Sequence, residues 1–61
     1  MTKLVEIDGK NIAETMEAVL YSDEAGVEIW IPKSKMNDYP AKDEVGTFII
    51  AEWLAIAKEL I

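Results

Sequence analysis

Polar and apolar residues alternate most cleanly over residues 27–31, where Val27, Ile29 and Ile31 fall on one side and Glu28 and Trp30 on the other. A period of two marks a half-buried strand. Pro32 ends it, having no N–H to give to a ladder. Residues 3–7 form a shorter strand-like run, closed by Asp8-Gly9-Lys10-Asn11. That group reads as a turn, since glycine accepts a positive φ without steric cost. Residues 13–21 fit two periods. At period two, Met16, Ala18 and Leu20 oppose Thr15, Glu17 and Val19; at helical spacing, Ile12, Met16, Val19 and Leu20 line up instead. The strand reading is preferred, because Ser22-Asp23-Glu24-Ala25-Gly26 has turn composition and a strand follows, which completes a hairpin.

Residues 33–45 are polar and contain Asn37-Asp38 and Tyr39-Pro40, a loop with room for one short helical turn. After Gly46, residues 47–50 form an apolar strand, and from Ala51 the period becomes 3.6, predicting a helix over about 51–60. The expected fold is α+β and a single domain over 1–61: a small, mostly antiparallel sheet or partly open barrel of SH3 or OB-like size, with one C-terminal helix. Met16, Leu20, Ile29, Ile31, Phe48, Ile50, Trp53, Ala57 and Leu60 are the expected core.

The helix is more apolar than one packed face needs. Trp53, Leu54, Ile56, Ala57, Leu60 and Ile61 sweep an arc of roughly 160°, whereas a surface helix needs a stripe of only about 100°. Glu52, Ala55, Lys58 and Glu59 hold the other face. The chain has 61 residues, 51% of them hydrophobic, and no cysteine. A domain this small buries only about 60% of its unfolded surface and usually leans on disulfides, a metal or self-association. Disulfides being impossible, a homodimer through Trp53, Leu54, Ala57 and Ile61 is the expected support. The alternative is a barrel that buries the whole arc.

Composition then removes most chemistry. Without cysteine or histidine there is no thiolate nucleophile, no Ser-His-Asp arrangement and no ordinary zinc site. Isolated glycines form no phosphate loop, and Ser34 between Lys33 and Lys35 is a poor Ser-Lys pair, because adjacent side chains point apart. No catalytic residue, metal or cofactor is expected. No apolar run approaches the ~20 residues of a membrane span and no leader-like segment opens the chain, so no membrane partner is expected.

Charge is unevenly placed. The net charge is -6, yet residues 32–42 carry Lys33, Lys35 and Lys42 against Asp38 alone. Trp30, Lys33, Lys35 and Tyr39 therefore make a candidate loop for anions or single-stranded nucleic acid, with charges for phosphate and rings for base stacking. The global charge and the absence of arginine oppose it. Asp23, Glu24 and Glu28 cluster about the hairpin turn and are a candidate face for a basic protein partner, since complementary charge speeds docking. Read blandly, each is a solvated surface.

The run Val27-Glu28-Ile29-Trp30-Ile31-Pro32-Lys33-Ser34, followed later by Ile50-Ala51-Glu52-Trp53-Leu54-Ala55, resembles small proteins encoded by bacteriophages and prophages. Their pattern is a hairpin ending in Glu-Val-Trp-Ile-Pro-Lys-Ser, then a strand running into Pro-Glu-Trp-Leu-Ala and a final helix. The likeness spans residues 13–61. Ala51 stands where those proteins often have proline, and Lys58-Glu59-Leu60-Ile61 lacks the glycine of their usual Glu-Lys-Gly-Leu-Ile ending. The resemblance implies a bacterial cytoplasmic setting and a non-enzymatic accessory protein that binds another protein, such as an inhibitor of a host defence or nucleic-acid-handling protein. A single-stranded nucleic-acid binder and a structural or assembly subunit are the alternatives.

Overall fold

In the computed structural model, which describes residues 3–61, the first strand, β1 (Leu4–Glu14), runs straight through the Asp8-Gly9 pair. This corrects the expected turn at residues 8–11. Gly9 lies beneath Tyr21, and a Cβ there would overlap the Tyr21 ring and stand 2.7 Å from the Ser22 carbonyl oxygen. The Tyr21 hydroxyl donates to the Asp8 carbonyl at 2.9 Å. Glycine is thus required for close approach of a ring, not for a turn.

The chain reverses instead over residues 15–17. Thr15 N donates to Ala18 O at 2.8 Å, while Thr15 Oγ1 accepts from Glu17 N and Ala18 N. A threonine hydroxyl folding back on the next backbone N–H groups is a turn device. The expected strand over 13–21 is therefore two pieces: the end of β1, and β2 (Ala18–Ser22). Met16 sits in the turn and is 95% exposed, so it leaves the core. A register break between Asn11 and Ala13 also changes the inward face. The extra residue flips the β1 side chains that follow it; on β2, which starts afresh after the turn, Val19 and Tyr21 are buried and Leu20 is half-buried.

The hairpin of β2 with β3 (Glu28–Pro32) is as expected. Asp23 Oδ1 accepts from Val27 N at 2.9 Å, Gly26 N donates to Asp23 O, and Gly26 takes φ +86°. A single 3-10 turn, Lys33–Lys35, leads into β4 (Met36–Asp38), a short strand inside what the sequence marks as loop; β5 (Val45–Ala51) follows. The five strands form one antiparallel sheet in the order β3-β2-β1-β5-β4. Its two outermost strands are joined by only three residues. Flat, five strands would span ~19 Å from edge to edge, whereas a three-residue 3-10 connection reaches only ~8 Å. The sheet must therefore curl into a partly open barrel.

Val19, Ile31, Phe48 and Ile50 are fully buried inside it, with Ile7, Tyr21, Ala51, Leu54 and Ala55 around them. Tyr21 meets Phe48 edge to face, centroids 4.9 Å apart. Ile29 and Leu60 pack against this cluster half-buried, whereas Trp53 and Ala57, both expected inside, are exposed.

The helix α1 (Glu52–Ala57) is shorter than the expected 51–60 and faces the core with Leu54 and Ala55, so Ala55 belongs to the packed side rather than the polar one. Its end has a specific cause. Leu60 N donates to Ala55 O and Glu59 N to Ile56 O, with Glu59 at φ +59°. This is the Schellman arrangement, which ordinarily places glycine where Glu59 stands. Glu59→Gly is expected to stabilise the fold by roughly 0.5–1 kcal/mol, by relieving a left-handed non-glycine residue. A urea midpoint that fails to rise would contradict this terminus.

Candidate functional site

Exposed polar, basic and aromatic groups come together where the helix leaves the barrel. The 3-10 turn supplies Ser34 and Lys35, β4 supplies Met36 and Asn37, and Leu4, Ala51 and Trp53 complete an open groove of about 250 Å³. The helix start is pinned there by the Glu52 N–H on Lys3 O at 2.8 Å, and Lys3 Nζ lies 3.3 Å from the Glu52 carboxylate. Lys35 Nζ stands 5.7 Å from the centroid of the Trp53 ring. At an exposed site such a cation–π contact is worth only about 0.5–1 kcal/mol, enough to orient the ring but not to bury it.

Beyond the groove the helix turns its apolar excess outward. Trp53 is 53% exposed, Ile56 57% and Ile61 61%. Of the residues expected to self-associate, Trp53, Ala57 and Ile61 are on the surface; Leu54 is in the core and braces the helix from beneath. Ile56 joins the exposed set, and its place in the apolar arc was the signal for it.

The lysine loop divides. Trp30 lies on the outer face of β3 opposite Leu20, 47% exposed. Lys33 turns away, its Nζ 2.8 Å from the Glu14 carboxylate. That hydrogen bond, helped by one from Asn11, holds the Glu14 carboxyl below its ordinary range, and Glu14 in turn raises Lys33. Lys33 is committed to an internal pair. Tyr39 is half-buried against the core and helps Glu14 to raise Lys33. Among the described residues, Lys35 alone meets an exposed ring, and that ring is Trp53, far along the chain, a pairing no local pattern could reveal.

Sequence reasoning also misses Asn11, which it placed in a turn. Asn11 is fully buried; its Nδ2 donates to Glu14 Oε1 at 3.0 Å and to Pro40 O at 2.9 Å. Its backbone accepts from Asp43 N and donates to Glu44 O. One side chain and its peptide groups thus anchor the loop between β4 and β5, an architectural role.

Asp23, Glu24 and Glu28 remain together at the β2–β3 hairpin. Asp23 is used by the turn itself, while Glu24 and Glu28 are exposed. Asp8, Asp23 and Glu24 border an open depression with Gly9, Ala25 and Val45. Asp8 is engaged by Thr47 Oγ1 at 2.9 Å. Among the described residues, no group of three or more His, Cys, Asp or Glu is arranged to hold a metal and no helix is long and apolar enough to cross a membrane. No family model matches this chain, nor does any curated protein or solved structure.

Proposed function

We propose that this chain is a non-enzymatic protein-binding module that works as a homodimer, with the outer face of its helix as the dimer contact. The observation that carries the reading is the exposure of Trp53 and Ile56 on the short helix and of Ile61 just beyond its end. Large apolar groups grouped on so small a domain mark an interaction surface, and a tryptophan is the side chain best suited to anchor one. The phage-type resemblance supports the same reading, with the bound partner a host or phage protein and inhibition as the outcome of binding. The shallow grooves suit a protein surface better than an enclosed small-molecule site.

Single-stranded nucleic acid is the second reading, favoured by Lys35 above the Trp53 ring. Commitment of Lys33 to Glu14 and the net charge of -6 weigh against it. Sedimentation separates the two. The wild type is expected at twice its 6.8 kDa monomer mass, and Trp53→Glu at the monomer mass with an unchanged far-UV spectrum. A wild type that stays monomeric at high micromolar concentration, yet binds oligonucleotide with a steep salt dependence, would reverse the order.

A further inference from the structure

We infer that the outer edge of β3 is a strand-addition site for an extended, basic segment of a partner protein. The inference names the partner chemistry for the protein-binding reading and rests on it, but not on the homodimer.

Hydrogen-bond parity carries the first half. Lys33 N donates to Glu17 O at one end of the hairpin and Asp23 N donates to Val27 O at the other. In an antiparallel pair, residues alternate between those bonded to the neighbour and those facing away. With Val19 opposite Ile31 and Tyr21 opposite Ile29, the N–H and C=O of Ile29 and Ile31 face β2. Those of Glu28 and Trp30 face outward, where no described strand pairs with them. Pro32 contributes only a carbonyl and limits how far a ladder could extend.

Side chains and charge carry the second half. Ile29 is half-buried, at the rim of the core, and Trp30 is exposed on the opposite face. An added strand would lay alternate residues beside Ile29 on the inside and beside Trp30 and Glu28 on the outside. Glu28, Glu24 and Asp23 give this edge a negative end, and Lys33, which follows β3 in the chain, is paired with Glu14. Charge complementarity therefore selects a segment alternating apolar residues with Lys or Arg. A second copy of this chain is the wrong occupant, since the edge it would add, Glu28–Pro32, carries no lysine to set against Glu28.

The test is amide exchange by NMR on the whole chain with a blocked peptide of about ten alternating Lys and Val residues, a length matched to one strand and its flanks. Glu28 and Trp30 amides are expected to exchange fast in the free protein and to slow by about tenfold or more on peptide addition. Ile29 and Ile31 are protected throughout. Glu28→Lys should weaken binding by about tenfold, while Trp53→Glu should leave it unchanged, which separates this site from the helix face. Three results would overturn the inference: unchanged exchange at Glu28 and Trp30 at millimolar peptide; equal binding of a Glu-Val peptide; or slowing without peptide that grows with protein concentration, the mark of a second copy on the edge.

Discussion

Gly9→Ala is expected to destabilise this protein by about 3 kcal/mol, at the upper end of what overpacking a tight site costs. The new methyl would meet the Tyr21 ring and, 2.7 Å away, the Ser22 carbonyl oxygen. The ring could shift, but the carbonyl belongs to β2 and is held by the sheet. Gly→Ala at a compatible site ordinarily stabilises by about 0.4–1 kcal/mol, so both sign and size are diagnostic. The other glycines calibrate the result. Gly46→Ala meets only the Pro40 ring at 3.2 Å, and Gly26→Ala meets no atom but inherits a φ of +86°; each should cost about 1 kcal/mol or less. Because a domain this size rarely holds more than about 3–5 kcal/mol, Gly9→Ala should leave much of the population unfolded at ambient temperature. Urea denaturation of the three variants measures it. If Gly9→Ala is as mild as Gly26→Ala, the chain turns at Asp8-Gly9 and β1 is not continuous.

Asn11→Asp is the second large effect. Both Nδ2 contacts of Asn11 go to acceptors, Glu14 Oε1 and Pro40 O, so a carboxylate would leave both unpaired and set a second negative charge beside Glu14. Burying an unpaired charge costs about 3–5 kcal/mol when the surrounding structure is built for something else. The penalty should depend on pH in a defined sense. Burial and Glu14 would raise the new carboxyl above its unfolded value, so the destabilisation is complete above the folded pKa and fades as pH falls through it. A protonated carboxyl can again donate to one of the two acceptors. Stability curves of Asn11→Asp and wild type should therefore converge on acidification. A small cost that does not vary with pH would mean that Asn11 does not anchor the β4–β5 loop.

Much of the fold was legible where one physical cause acted locally. The alternation over β3 and its proline stop described a real strand, and the turn residues around Gly26 described a real hairpin. The α+β class and the C-terminal helix followed from the change of period after Ala51. What was illegible depended on residues distant in sequence. Asp8-Gly9 reads as a turn, and only Tyr21 arriving above Gly9 turns it into strand. The chain reversal at residues 15–17 divides what reads as one strand, so Met16 falls in the turn and Val19 and Tyr21, not Met16 and Leu20, are the buried pair. The helix ended early because the Leu60 and Glu59 N–H groups close a Schellman turn without glycine, removing its usual signature.

The candidate surfaces divide along the same line. Apolar excess on the helix could be counted from sequence, and Trp53 and Ile61 are indeed exposed. The lysine loop could be counted too, but counting charges does not reveal their partners. Glu14 claims Lys33, and Trp53 receives Lys35. Those pairings exist only because the 3-10 turn carries the chain across the opening of the barrel, between one sheet edge and the other.

The proposed dimer joins two copies of this chain through the outer face of the helix. Amide NMR shifts followed during dilution, from about 1 mM down to the low micromolar range where weak dimers separate, test it most directly. Concentration-dependent shifts are expected only at Trp53, Ile56, Ala57 and Ile61 and at the groove residues Lys35 and Met36, with Glu24, Glu28 and Trp30 unmoved. Shifts at Glu28 and Trp30 instead, or none anywhere together with a monomeric mass, would contradict it.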